Sequence, residues 1–272
     1  MSDKPGGRVA AGNEPRVEIT PALRRTLHWE TALLLAISLG QSAIYSVLSI
    51  IERLTRAVPL SQQTSTLNTS ATPDRPWLDL SYQVAGVVFG VVPAVLAVYL
   101  LGSRFVPVGG VRKALGVRPR RVGFDVAWGF IIAAGIGIPG LGLYLGARAM
   151  GVNTNVAAAN LQENWWTIPV LVASAAMNGI LEEVVMIGYL FTRWLQAGWR
   201  TWVVVAVSAL VRGSYHLYQG FGGFVGNLIM GALFGLFFLK VKRVWPLVIA
   251  HTLLDIVSFV GYSLLAGKVS WL

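Results

Sequence analysis

Ionisable side chains interrupt three long apolar stretches of this sequence. Glu182 and Glu183 are adjacent within LEEVVMIGYL, and His251 precedes Asp255 by four residues within AHTLLD. Ionisable groups in apolar spans are costly, so they generally face a bundle interior or a water-filled cavity and mark function. A third stretch, RGSYH, adds a further pair four residues apart. Residues four apart share one helix face, and the candidate catalytic residues are therefore Glu182, Glu183, Arg212, His216, His251 and Asp255.

These residue types suit the activation of water for hydrolysis. A carboxylate beside a histidine, with water between them, provides a general base. Two adjacent glutamates in a poorly solvated pocket cannot both ionise cheaply unless Arg212 or a metal ion offsets their charge. The sequence contains no cysteine, which excludes a cysteine nucleophile and thiolate metal sites.

A zinc ion is one way to complete such a site. Two histidines and a carboxylate suit zinc with a fourth position open to water, and the tentative ligands are Glu182, His216 and His251. The HEXXH signature does not occur, and the spacing alone does not identify a metal. A metal-free mechanism based on glutamate-activated water therefore stays open.

Seven apolar segments are available to carry these residues across a membrane. The sequence is 55% hydrophobic and 12% charged, whereas soluble domains carry about a quarter charged residues. A spanning helix needs roughly 20 apolar residues; the fifth and sixth segments are shorter. The predicted spans are Thr31 to Ile51, Leu78 to Leu101, Val126 to Met150, Val170 to Trp194, Thr201 to Leu217, Phe224 to Leu239 and Val244 to Leu265.

The positive charges predict an orientation. The net charge is +10, and most of the 22 Lys and Arg residues fall in the N-terminal segment and in every second loop. This is the positive-inside pattern, with the N-terminus inside. The basic excess is therefore topological, and with no nucleic-acid-binding motif the sequence predicts no nucleic-acid partner.

The sequence predicts an all-α polytopic bundle in a single membrane-embedded domain. Residues 1–29 are polar and contain Gly and Pro, which predicts a disordered cytoplasmic tail; residues 30–272 form the domain. Glycine pairs at four-residue spacing, Gly142/Gly146 and Gly231/Gly235, predict close helix packing. Counted from the inner helix ends, four site residues lie ~12 to 21 Å deep, a range that allows one shared polar layer: Glu182, His216, His251 and Asp255.

From about residue 165 to 265 the chain resembles the CPBP family, which includes the type II CAAX prenyl endopeptidases and the bacteriocin-processing or immunity proteins. The family carries Glu-Glu-x-x-x-Arg, then Phe-x-x-x-His, then His-x-x-x-Asn or Asp, on separate membrane helices. The segments LEEVVMIGYL, RGSYH and AHTLLD match these motifs in order. The resemblance implies that Glu182 and His216 activate water with support from Glu183, and that His251 and Asp255 polarise the scissile carbonyl or help hold a metal.

Two positions depart from the family pattern. Ile187 occupies the position of the motif arginine, and Arg212 occupies the position of the motif phenylalanine. We hypothesise that Arg212 replaces the lost charge, in which case Arg212→Ala abolishes activity and leaves the fold intact. The departure also favours a non-catalytic member of the family.

Three functions follow. The first is an intramembrane endopeptidase that acts on a membrane-anchored peptide or protein within the lipid bilayer. The second is a non-catalytic immunity or scaffold member of the same family, and the third is a proton-coupled transporter, which also uses buried carboxylates and histidines. Short loops and the match to bacterial-style members favour a bacterial plasma membrane.

Overall fold

A computed structural model describes residues 19–103, 105–117 and 121–269. The described chain is almost entirely helical, which confirms the predicted all-α polytopic fold. The helices are α1 (Pro21–Ala36), α2 (Leu39–Leu54), α3 (Pro76–Ser103), α4 (Gly110–Ala114), α5 (Val122–Ala149), α6 (Thr167–Glu182), α7 (Leu190–Gln196), α8 (Thr201–Tyr215), α9 (Phe221–Val241) and α10 (Trp245–Leu265). Two short strands, β1 (Thr64–Thr66) and β2 (Asn155–Ala157), pair in parallel.

Five helical stretches are long and apolar enough to cross a membrane. They are α3, α5, α9, α10 and the continuous helix Thr167–Gln196, in which a π-helical segment joins α6 to α7. These five correspond to predicted spans. The other two predicted spans, the first and the fifth, differ from simple spanning helices.

The first predicted span is bent. Helices α1 and α2 meet at an angle of 53°. At the bend the hydroxyl of Ser38 donates to the carbonyl of Leu34 over 2.6 Å, a back-bond that competes with helix geometry. A Cβ at Gly40 would lie 2.7 Å from the carbonyl oxygen of Leu35, so the bend also depends on this glycine.

The fifth predicted span, α8, is shorter than a bilayer core. Its 15 residues rise about 22 Å, against about 30 Å of hydrocarbon. Helix α8 nevertheless connects the two ends of the bundle. At one end, the carbonyl of Gln219 in the turn after α8 accepts a hydrogen bond from the amide of Thr154 (2.9 Å). This contact lies beside the β1–β2 pair.

The loops predicted to be inside meet at the opposite end. The amide of Val244 donates to the carbonyl of Leu115 (3.1 Å), and the guanidinium of Arg193 donates to the carbonyl of Phe105 (3.0 Å). The chain therefore alternates between two ends in the order that the charge pattern indicates. We refer to this end, which carries the basic loops, as the basic end.

The predicted tail is too long. Helix α1 begins at Pro21, inside the predicted tail 1–29, because Thr20 caps it through a side-chain hydrogen bond to the amide of Leu23 (3.1 Å) and proline is favoured at the first helical position. The helix is anchored by Glu30, which accepts hydrogen bonds from Tyr189 (2.7 Å) and from the buried Arg193 (2.9 Å). Residues 1–18 lie outside the described part of the chain.

Glycines set the spacing of the helices that carry the site. A Cβ at Gly231 would lie 3.1 Å from the Cα of Ala209, and one at Gly235 would lie 2.7 Å from the ring of Phe191, so the predicted close packing of α9 is confirmed. The prediction for Gly142 and Gly146 is wrong. Apart from the neighbouring residues and backbone of α5 itself, no atom of the described chain lies within 4 Å of a Cβ placed at either position, because this face of α5 points away from the bundle.

Candidate active site

A π-helical segment, Glu183–Tyr189, begins between the two adjacent glutamates. Glu182 is the last residue of α6, and Glu183 is the first residue of the π-helical segment. Segments of this kind are rare and frequently occur at functional sites. Both side chains are buried, but they contact different partners.

Glu183 is the centre of a buried ionic cluster. Its Oε1 accepts a hydrogen bond from Nη2 of Arg212 at 2.7 Å and lies 2.7 Å from Nδ1 of His251. Glu183 and Arg212 are both fully buried. The Arg212 guanidinium also lies over the ring of Phe234, 5.4 Å from its centroid. Because Glu183 is committed to these two partners, it fixes the orientation of the His251 ring.

Glu182 presents its carboxylate to a second set of groups. Its Oε2 accepts a hydrogen bond from the hydroxyl of Tyr215 at 2.6 Å and lies 3.9 Å from Nε2 of His251. The Arg212 guanidinium is 3.8 Å away. Tyr215 was missed by the sequence reasoning, although a tyrosine hydroxyl in an apolar span needs a partner and therefore signals one.

His216 and Asp255 complete the group. His216 follows the last residue of α8, and its Nδ1 lies 3.1 Å from the carbonyl oxygen of Arg212. Asp255 lies one helical turn after His251, as the spacing predicts, with its Oδ1 3.9 Å from Nε2. Asn178, four residues before Glu182 in the sequence, donates to Oδ2 of Asp255 at 2.9 Å.

A cavity of about 620 Å³ gives access to part of this group. Glu182, His216, His251 and Asp255 all line it, together with Tyr215 and Asn178. Glu183 and Arg212 do not line it. The structure thus brings all six predicted residues together and separates them into four that face the cavity and two that lie behind it. The apolar wall of the cavity includes Leu39, Ile136, Leu143, Met230 and Phe259.

The donor set fits a divalent cation such as zinc. One ligand atom each from Glu182, Glu183 and His251 lie within 4.8 Å of one another. In the described chain this compact group contains Glu183, whereas the sequence predicts His216 as the third ligand. Both histidines have Nδ1 engaged by another group, which directs Nε2 to a metal or to substrate. The cluster contains three carboxyl groups, those of Glu182, Glu183 and Asp255, but only one guanidinium, that of Arg212, so it is rich in the oxygen donors that a cation binds.

Comparison with known families agrees with this geometry. Residues 164–257 match the family described as Type II CAAX prenyl endopeptidase Rce1-like. The match shows that this segment is similar to the Rce1-like family. All six candidate residues lie inside the matched segment, and its bounds are close to the predicted 165 to 265. No characterised protein and no solved structure matches the chain.

The two departures from the family motifs have a physical account. Ile187, where the motif has arginine, is fully buried in the apolar core. Arg212, where the motif has phenylalanine, reaches Glu183 from the neighbouring helix α8. The matched segment therefore has a guanidinium at its glutamate pair, supplied by a different helix.

Proposed function

We propose that this chain is an intramembrane endopeptidase that hydrolyses a membrane-associated polypeptide. The observation that supports it best is the convergence of Glu182, His216, His251 and Asp255 on the wall of one cavity. A carboxylate and two imidazoles facing a space large enough for a peptide segment satisfy the geometric requirement for general acid–base hydrolysis.

Glu182 is the proposed general base. It faces the cavity, and the Tyr215 hydroxyl holds its Oε2 in place. In the proposed reaction the carboxylate takes a proton from water while the water oxygen attacks the scissile carbonyl carbon. The same proton then passes to the amine nitrogen as the C–N bond breaks, so that Glu182 returns to its initial state.

Glu183, Arg212 and His251 have positioning and charge-stabilising roles. Glu183 accepts the Nδ1–H of His251, which leaves Nε2 facing the cavity. A protonated ring donates its Nε2–H to the oxyanion of the tetrahedral intermediate, where a preorganised donor contributes most. Arg212 neutralises Glu183, so that this buried carboxylate does not repel the negative charge that develops on Glu182 or on the oxyanion.

The same residues accommodate a zinc-assisted version of this reaction. Glu182, His216 and His251 are the proposed ligands, and Glu183 would orient His251 from behind, as carboxylates commonly do for metal-bound histidines. A bound zinc ion would lower the pKa of its water and polarise the carbonyl.

The substrate is proposed from the family and from the cavity wall. The Rce1-like family is one of CAAX prenyl endopeptidases, and the apolar wall suits a substrate with a lipid-anchored or apolar segment near its scissile bond. We further propose a bacterial plasma membrane as the location, in keeping with the short loops.

The test is cleavage of a pool of membrane-anchored peptides by the full chain in liposomes, read by mass spectrometry. Wild type is compared with Glu182→Gln and with Glu52→Gln, a matched substitution at an exposed glutamate of α2. We expect Glu182→Gln to lose activity by about 10²-fold or more and Glu52→Gln to retain it. Cleavage that persists in Glu182→Gln would exclude this mechanism.

A non-catalytic immunity or scaffold role is the second candidate. The observation that favours it is the replacement of the motif arginine by Ile187. The same assay separates the two functions. A folded wild-type chain that cleaves no peptide in the pool, with or without added zinc, would support the non-catalytic role.

A further inference from the structure

A second cavity, of about 630 Å³, lies at the basic end of the bundle, away from the active site. It is lined by the loop before α4, by α4 itself, by the start of α5 and by the ends of α7 and α9. Its charged lining residues are all basic and come from separate elements: Lys113, Arg121, Lys242 and Arg243. We call it the basic cavity.

Three of these four cations, Lys113, Arg121 and Lys242, form no ion pair with a carboxylate of the described chain. Lys242 lies over the ring of Phe238, 5.8 Å from its centroid, and Arg121 lies over the ring of Phe124 at 5.9 Å. Aromatic faces attract cations without cancelling their charge. Lys113 is exposed and forms no ion pair with a described residue.

The carboxylates near this end, those of Asp125 and Glu30, are already bonded to other side chains. Asp125 forms a buried bidentate pair with Arg243, and its hydrogen bonds raise the pKa of that guanidinium above the ordinary value. Glu30 accepts hydrogen bonds from Arg193 and Tyr189. Lys113, Arg121 and Lys242 therefore remain available to pair with an external anion.

Backbone contacts between two loops fix the positions of residues that line the basic cavity. Gly116 has φ +65°, and a Cβ there would lie 2.0 Å from the carbonyl oxygen of Lys242, so the loop before α5 packs directly on the turn before α10. The same two segments are joined by a hydrogen bond from the amide of Val244 to the carbonyl of Leu115. The positions of Lys113 and Lys242 relative to each other are therefore set by backbone contacts.

Apart from Thr192 and Gln196, the remaining wall of the basic cavity is apolar. Its larger side chains are Val108, Leu195, Phe238 and Val241. A soluble anion such as phosphate has no apolar part that could pack against this wall. A phospholipid has both a phosphodiester that pairs with the cations and an acyl chain that packs against the apolar side chains. The location, at the end of the membrane helices where basic residues gather, is where a headgroup lies.

We propose that the basic cavity binds the headgroup and upper acyl region of an anionic phospholipid. The phosphodiester contacts Lys113, Arg121 and Lys242, and the acyl chain runs along Leu195 and Val241. This inference is independent of the proposed peptidase activity, because neither the test nor the residues involve the active site.

The test is a binding titration of the detergent-purified full chain with dihexanoyl-phosphatidylglycerol, dihexanoyl-phosphatidylcholine and glycerol phosphate. The variant Lys113→Gln/Arg121→Gln/Lys242→Gln is compared with wild type. Each cation near an anionic surface contributes roughly fivefold in affinity, so the triple variant should bind phosphatidylglycerol on the order of 100-fold more weakly. Wild type should prefer phosphatidylglycerol to both other probes by at least about tenfold.

A matched control removes the same charge from the same end. Arg24→Gln/Arg25→Gln/Arg200→Gln neutralises three exposed arginines outside the basic cavity and should retain affinity within a few-fold. Equal loss in the control would show diffuse charge attraction and overturn the proposal, as would glycerol phosphate binding as tightly as the lipid. If the triple variant misfolds, the single variant Lys113→Gln should still weaken binding about fivefold, and an unchanged affinity there refutes the site.

Discussion

Removal of Arg212 tests the ionic cluster behind the active site. Arg212 and Glu183 are both fully buried and joined at 2.7 Å. Loss of one partner of a buried pair leaves an uncompensated charge in a medium of low polarity, which costs about 3 to 5 kcal/mol. We therefore expect Arg212→Met to lower the free energy of unfolding by this amount. This changes the expectation from sequence that Arg212→Ala leaves the fold intact.

The double variant isolates the pair. Glu183→Gln alone leaves Arg212 unpaired and should carry a similar cost, whereas Arg212→Met combined with Glu183→Gln removes both charges and should cost much less than the sum. The expected coupling energy is roughly 3 kcal/mol or more. It is measured from equilibrium unfolding in mixed micelles, followed by tryptophan fluorescence.

An exposed pair provides the matched control. Arg56 and Glu52 form an ion pair on α2 whose side chains are 50% and 56% exposed. The same double-variant cycle there should give a coupling of about 0.5 kcal/mol or less. A coupling at Arg212 and Glu183 no larger than this would refute the buried ionic cluster.

Three further predictions concern the site and the fold. Tyr215→Phe removes the hydrogen bond to Glu182 and should lower the cleavage rate about tenfold or more, at a stability cost of about 1.5 to 3 kcal/mol; an unchanged rate would contradict the role of this contact. If zinc is bound, metal analysis of the purified chain should give about one zinc per chain, and His251→Ala should lose both zinc and cleavage, whereas cleavage by a zinc-free chain would establish the metal-free route. Gly116→Ala and Gly110→Ala both place a side chain at positive φ, but only the first meets a backbone oxygen at 2.0 Å. Gly110→Ala should therefore cost about 1 to 2 kcal/mol of stability and Gly116→Ala clearly more, and equal costs would argue against the packing at the basic end.

The positions of helices were predictable from sequence wherever a run of apolar residues determines them. The spans that became α3, α5, α9 and α10 follow from runs of apolar residues, because a bilayer demands continuous apolar helices. The bend between α1 and α2 was not predictable from hydropathy, since Ser38 and Gly40 act through backbone contacts that leave the apolar pattern unchanged. The helical start at Pro21 was readable in principle from Thr20 and Pro21 as a capping pair.

The candidate site shows the same division between local and long-range information. The sequence by itself determined which six residues are polar within the membrane and that His251 and Asp255 share one face, because helical periodicity follows from spacing alone. Only the tertiary structure decided that Glu182 faces the cavity while Glu183 lies behind it, that Tyr215 holds Glu182, and that Asn178 pairs across to Asp255. These contacts join different helices, so they depend on how glycine contacts and core packing set the distances between those helices, which spacing along a single helix does not encode.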